Sequence, residues 1–291
     1  MKKLLLILTS ILMGSNILFA QDKPAYKLYN KKGREVKFRK MVKDLADSDM
    51  IFFGEYHTNP ISHWLQIELT EALYEVKGEK LFLGAEMFEN GNQLVLDEYL
   101  AGFYPENKML VEITQLWQNY QTDYKPLVEF AKENKLRFIA SNIPRRYASM
   151  IYKEGMGAFD KLSHEAKAMI GPVQEFYDAS VYEDMKDKMG GHIPSTMDNI
   201  QMAQASKDAT MAMFSVNNFN EGDIYLHFEG AYHSNNYRGI VWWVNKIKPG
   251  LSIKTITTLT MSEWEEKTKE ERKSIANYII VVADNMTKTS R

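Results

Sequence analysis

Ile51-Phe52-Phe53-Gly54-Glu55-Tyr56-His57 is an apolar strand running into a glycine turn, and Met50 lengthens the run by one residue. Bounded by Asp47-Ser48-Asp49 and by Gly54, this run has the continuity of a strand buried on both faces, as in a parallel sheet. The form recurs at Leu226-His227-Phe228-Glu229-Gly230-Ala231-Tyr232-His233, where a strand, a glycine and two residues again precede a histidine. Residues just past the strand ends of a parallel sheet gather along its carboxyl edge, where ligands bind. His57 and His233 are therefore expected to converge across the 176 positions that separate them. A single Gly-x-x-His is a turn glycine beside a surface histidine; its repetition after two buried strands carries the reading.

Outward from this strand, sheet and helix alternate. Tyr26 to Phe38 alternates around Asn30-Lys31-Lys32-Gly33 and predicts a hairpin, followed by a short helix from Lys40 to Ala46. Helix is expected from Pro60 to Tyr74, strand from Leu81 to Ala85, helix over Asp97 to Leu100, Met109 to Trp117 and Tyr124 to Asn134, and strand from Leu136 to Ala140. From about 144 to 214 no strand pattern occurs, and the glycines and prolines there punctuate helical segments, which reads as a helical insertion. Sheet character returns at Ile224 to Phe228, then helix from Asn236 to Lys246 and strands at Ser252 to Leu259 and Tyr278 to Val282. Glu263 to Lys273 reads as a solvated helix or loop. The expected class is α/β: a mostly parallel sheet flanked by helices, with a helical insertion and an N-terminal hairpin.

Composition agrees with one such domain. The chain has 291 residues, 36 Lys+Arg against 38 Asp+Glu, 45% hydrophobic and 25% charged, which excludes disorder, collagen and a multi-span membrane protein. A formal charge of -2 offers no cationic field for a polyanion, and no local basic patch is read, so nucleic acid is dropped as a partner. Lys2 and Lys3 precede an uncharged, largely apolar run from Leu4 to Ala20, the pattern of a secretory signal peptide cleaved before Gln21. Residues 1–20 are then a targeting segment and 21–291 a single domain. The absence of cysteine excludes a disulfide framework and acylation as a bacterial lipoprotein.

Polar residues at strand ends suggest chemistry. Leu81 to Ala85 delivers Glu86 to the same edge, and a carboxylate emerging from an apolar strand must be paired or bound to a cation. His57 and His233 with Glu86 and Glu55 would suit zinc, iron or manganese, while a salt bridge from Glu86 to Arg145 or Arg146 is the plainer alternative. His63, with Gln66 and Thr70, lines one edge of the helix begun by Pro60 and joins the metal candidates. Met197, Gln201, Gln204, Asp208 and Met211 fall within about 80° on the helix from Thr196 to Phe214, a stripe that either lines a pocket for a flat ligand or is an exposed face. Tyr177, Tyr182 and His192 with Met185 and Met189 would make a wall for haem, although methionine at helical spacing is more often core.

Phe53-Gly54-Glu55-Tyr56-His57 with His63 and Gln66, Gly84-Ala85-Glu86-Met87-Phe88, Ala140-Ser141-Asn142-Ile143-Pro144-Arg145, Gln204 with Lys207-Asp208-Ala209-Thr210-Met211-Ala212, and Gly230-Ala231-Tyr232-His233 occur in an order that resembles the ChaN family of iron-regulated, haem-binding proteins. That family stands with the Tiki/TraB proteases and erythromycin esterases in one superfamily. The resemblance, from about Tyr26 to Leu259, implies an exported bacterial protein, periplasmic or at the cell surface, that binds haem for iron uptake. Haem and an outer-membrane haem receptor are the implied partners, and a homodimer is left open. Many ChaN-like proteins are lipoproteins, and this chain lacks the required cysteine. Tyr177, Tyr182 and His192 are the expected axial ligands, with Gln204, Asp208 and Met211 around the haem. The alternative is a metal-dependent hydrolase, matching Tiki-like relatives, in which His57, His63, Glu86 and His233 hold a divalent ion and Glu55 or Glu86 acts as general base.

Overall fold

The structure, a computed structural model, describes residues 23–187 and 194–289. Seven strands form one sheet in the order β1-β7-β6-β2-β5-β3-β4. They are β1 (Tyr26–Asn30), β2 (Met50–Glu55), β3 (Leu81–Glu89), β4 (Phe138–Asn142), β5 (Ile224–Gly230), β6 (Ile253–Thr260) and β7 (Tyr278–Val282). Every pairing is parallel except that of β1 with β7. β2 lies between β5 and β6, with Phe53 opposite Phe228 on one side and Ile256 on the other. The α/β class expected from the alternation is borne out.

Both faces of the sheet are covered, so β2 and β5 are buried throughout and are mostly apolar, with Glu55, His227 and Glu229 as the exceptions. Ile51 and Phe53 face one core layer with Leu83 and Phe228, while Met50 and Phe52 face the other with Phe82 and Tyr225, the period of two that a pleated strand imposes. The first layer is closed by helices α1 (Phe38–Leu45), α2 (Pro60–Lys77), α3 (Gln93–Leu100), α4 (Glu106–Glu112) and α5 (Lys125–Glu133). α2 starts where it does because Asn59 caps it, accepting from the backbone N–H of Ile61 at 3.0 Å and Ser62 at 3.1 Å, with Pro60 in the first turn.

Between β4 and β5 the described residues contain no strand. They form α6 (Arg145–Glu154), the short helices α7 (His164–Ala168), α8 (Val173–Phe176) and α9 (Asp184–Asp187), and the long α10 (Met197–Asn217). Together with α11 (Ile240–Ile247), α10 covers the second layer through Ala205, Ala209, Met211 and Ala212. α12 (Met261–Glu266) and α13 (Lys269–Ile275) occupy the Glu-rich stretch, each begun by a Thr/Glu capping box, Thr260 with Glu263 and Thr268 with Glu271.

Two local expectations change. The hairpin after β1 turns at Asn30–Gly33, but its return arm is a single bridge between Tyr29 and Glu35, because α1 starts at Phe38 and β1 takes β7 as its partner. The helix expected from Asn236 begins only at Ile240, since Asn236, Tyr237 and Gly239 all have positive φ.

Candidate functional site

The two Gly-x-x-His segments lie side by side, because β2 and β5 pair with Glu55 opposite Gly230. Beyond them opens a cleft of about 660 Å³ at the carboxyl edge, lined by His57, Glu86, Gln204, Lys207, Tyr232 and His233 among others. A segment after β7 forms another wall through Ala283, Asp284, Met286 and Lys288, and is tied down by Thr289, whose N–H donates to the Thr58 carbonyl at 2.9 Å.

Glu86 leaves β3 pointing at the second histidine. Its Oε1 is 3.3 Å from His233 Nε2, and its Oε2 accepts the Gly230 N–H at 2.9 Å. His233 Nδ1 bonds Asp208 of α10, and Gln204, one turn earlier, reaches the same ring nitrogen at 3.0 Å. Burial works against charge on all three ionisable groups. Glu86 and Asp208 nonetheless push the His233 imidazolium up to about 10, and that cation holds Glu86 below the usual carboxylate range. At Asp208 burial prevails and its carboxyl is raised.

The first histidine is held differently. Glu55 Oε1 lies 2.9 Å from His57 Nδ1 and also receives the Tyr124 hydroxyl, while Oε2 takes the Gln66 amide. With Nδ1–H donated to a buried carboxylate, the other ring nitrogen, Nε2, is the acceptor. It has no hydrogen-bond partner among the described residues, and the half-buried ring stands edge-on to Trp117. Gly230 makes room for it: a Cβ there would sit 2.7 Å from His57 Cε1 and 2.8 Å from Nε2.

Other residues proposed from sequence are placed elsewhere. His63 is buried behind the cleft, its Nδ1 3.0 Å from Gln66 Oε1 and its Nε2 3.1 Å from the His57 carbonyl, so it braces the first histidine and does not face the mouth. Tyr182 is core: its hydroxyl donates to Asp208 at 3.0 Å and receives the Trp243 N–H at 2.9 Å, and burial followed by the Asp208 charge raises it well above the ordinary phenol value. Tyr177 packs against the second core layer, outside the cleft lining, and burial pushes it up to about 12. Met211 is fully buried in that layer. His192 lies outside the described residues. Of the stripe on α10, Met197, Gln201, Asp208 and Met211 are buried, so it faces the interior and only Gln204 and Asp208 reach the site.

The divalent-metal set does not assemble. Glu86 is engaged by His233 and Gly230 rather than by Arg145 or Arg146, His63 is turned away, and among the described residues no group of three or more His, Asp or Glu is arranged to hold a metal ion. Glu55 lies against His57 Nδ1 and accepts from Tyr124 and Gln66, and Glu86 accepts from the Gly230 N–H with His233 Nε2 at 3.3 Å.

Some site residues escaped the sequence reading. Tyr124 gives no local signal, and Lys207, although it stands in the motif with Asp208, had no role assigned. His227 and Glu229 do give one, being polar residues on one face of an otherwise apolar strand. His227 Nδ1 is 2.9 Å from Glu229, and Nε2 is 2.8 Å from Ser141 Oγ, in a fully buried row beneath the cleft. Burial lowers His227 to about 3 and raises Glu229 well above the usual carboxylate value, so both are neutral.

Comparison with solved structures gives the same architecture. ChaN of Campylobacter jejuni, in a structure describing cofacial heme binding, superposes with TM-score 0.67 at 17% identity, over 88% of this chain and 96% of that one. A mutant erythromycin esterase EreC in its open conformation superposes with TM-score 0.51 at 10% identity, over 89% and 97%. At these identities the likeness is one of fold. No curated protein matches the chain. The family model described as haem-binding uptake, Tiki superfamily, ChaN matches residues 41–244, a span that runs from α1 through both histidine segments into α11. With that span covering well over half of its length, the chain belongs to the ChaN family of the Tiki superfamily.

Proposed function

We propose that this chain is an exported haem-binding protein of bacterial haem and iron uptake, and that haem enters the carboxyl-edge cleft with His57 as its axial ligand. The observation that carries the reading is that His57 lines the cleft with Nδ1 held by Glu55 and with no hydrogen-bond partner for Nε2 among the described residues. A carboxylate on the far nitrogen fixes the tautomer and raises ligand basicity, the arrangement that favours iron ligation.

The cleft fits haem in its remaining chemistry. Ala231, Ala283 and Met286 offer apolar surface, and Tyr56 and Tyr232 offer aromatic walls. Lys207 and Lys288 line it without a carboxylate partner among the described residues, and they would hold the two propionates. When bound, haem supplies an iron with an axial position open to a protein nitrogen. His233 is closed off between Glu86 and Asp208, so it shapes the floor and leaves ligation to His57.

Cofacial heme binding is described for ChaN of Campylobacter jejuni. Two stacked haems need two cleft mouths face to face, so a homodimer belongs with this reading, as do residues 1–20 as a signal peptide and hand-over to an outer-membrane receptor. The test is a titration of the purified mature chain with ferric haem. A saturable change in the Soret region with a stoichiometry of one per chain is expected; its absence would overturn the reading.

A further inference from the structure

At the opposite, amino edge of the sheet, charge is concentrated in a way the net value conceals. Between Lys31 and Lys43 the chain carries seven cations, Lys31, Lys32, Arg34, Lys37, Arg39, Lys40 and Lys43, against the single acid Glu35. All seven are exposed, and none has an ion-pair partner among the described residues. This segment carries a net +6 in a chain whose total is -2. The near-neutral total masks this basic window.

Folding gathers these cations on one face. Lys31, Lys32, Arg34 and Lys40 surround a cleft of about 380 Å³ together with Lys254 from the start of β6. Lys37, Arg39 and Lys43 border a neighbouring depression. The acids there are few: Asp44 is paired with Lys254 at 3.0 Å and accepts the Tyr278 hydroxyl at 2.9 Å, which leaves Glu35. β6 links the two ends of the molecule, with Lys254 in the basic cleft and Thr260 in the ligand cleft. Six residues at about 3.3 Å each put them roughly 20 Å apart.

We propose that this amino-edge face is a peripheral docking surface for an anionic phospholipid bilayer, engaged through the headgroup phosphates. The cations spread along a turn and one exposed helix side, which suits an array of phosphates better than one compact anion. The only aromatic residue lining the basic cleft is Tyr278, which is buried, so nothing there stacks on a nucleobase. With +6 in this segment of a chain whose total is -2, an anionic surface orients the molecule with its ligand cleft pointing away from the bilayer. The proposal does not depend on what the ligand cleft holds.

The test is co-sedimentation of the mature chain with phosphatidylcholine vesicles, with and without about one third phosphatidylglycerol. Saturable binding to the anionic vesicles alone, weakened by salt, is expected. A Lys31→Gln/Lys32→Gln/Arg34→Gln/Lys40→Gln variant with unchanged circular dichroism should lose about fivefold in partitioning per cation removed, and a Lys269→Glu/Lys273→Glu variant should bind as the parent does. Equal binding to neutral vesicles, undiminished binding of the quadruple variant, or release by single-stranded DNA or inorganic phosphate at concentrations matching the lipid would each overturn it.

Discussion

Glu55 Oε1 stands 2.9 Å from His57 Nδ1, and the two residues are separated by one position at the end of β2. A buried carboxylate thus sits under an imidazole whose other face looks into the cleft. Tyr124 and Gln66 also donate to Glu55, so the support is rigid before any ligand arrives. His233, its counterpart after β5, is locked between two carboxylates. The same Gly-x-x-His form therefore yields one half-buried ring with an unpartnered nitrogen among the described residues and one buried cation.

Gly230 lies under the exposed ring, and Gly230→Ala would bring a Cβ to 2.7 Å from His57 Cε1. The half-buried ring can swing outward, so stability should fall by only about 1 kcal/mol while haem affinity drops roughly tenfold or more. Paired thermal melts and haem titrations check this. Equal affinity in variant and parent would show that the position of His57 is immaterial.

His233 makes stability depend on pH. Its folded pKa of about 10 exceeds the free value of 6.5, so the stabilisation is fully present below about pH 6.5 and is lost as pH rises through 10. Glu86, held low, contributes above the free carboxylate value and loses that contribution as pH falls through its lower folded pKa. Asp208, raised by burial, subtracts as pH rises past its free value of 3.8 and leaves the alkaline limb alone. Urea midpoints measured from pH 6 to 10 should fall steadily in the parent and less steeply in His233→Gln; parallel slopes would contradict the assignment.

Beneath the cleft, Glu229 is a neutral acid beside a neutral His227. Glu229→Gln should therefore change stability at pH 7 by under about 1 kcal/mol. His227→Leu leaves Glu229 Oε2 without its partner, while Ser141 keeps the Ala85 carbonyl at 3.0 Å, and should cost about 2–4 kcal/mol. Denaturant unfolding of the two variants decides it: similar losses would mean that Glu229 is ionised.

Tyr182 joins Asp208 to Trp243 within the core. Tyr182→Phe removes both bonds and should cost about 1–3 kcal/mol, with the haem spectrum unchanged. A shifted Soret band in a folded Tyr182→Phe protein would return the ligand to the helical region between β4 and β5.

The sheet was legible in the sequence because Met50 to Phe53 and Ile224 to Phe228 are short, mostly apolar runs between turn residues, although the strands continue to Glu55 and Gly230. The meeting of His57, Glu86 and His233 was legible too, since parallel strands bring their carboxyl ends to one edge. The roles were not. Whether a histidine ends with a free nitrogen depends on partners contributed from afar: Tyr124, 69 positions from Glu55, and Asp208, 25 from His233. Tyr182 was expected in a haem wall and Met211 in the stripe on α10, but residue type does not reveal which side of a helix meets the core. The basic face was hidden by the opposite charge of the remaining chain.

The most direct test of the central claim is the Soret spectrum of haem-loaded His57→Ala beside those of the parent, Tyr177→Phe and Tyr182→Phe. Ligation through His57 Nε2 predicts that His57→Ala alone shifts the band and weakens haem binding by more than about tenfold, and that added imidazole restores the parent spectrum. A His57→Ala protein that binds haem with the parent's affinity and spectrum would contradict it.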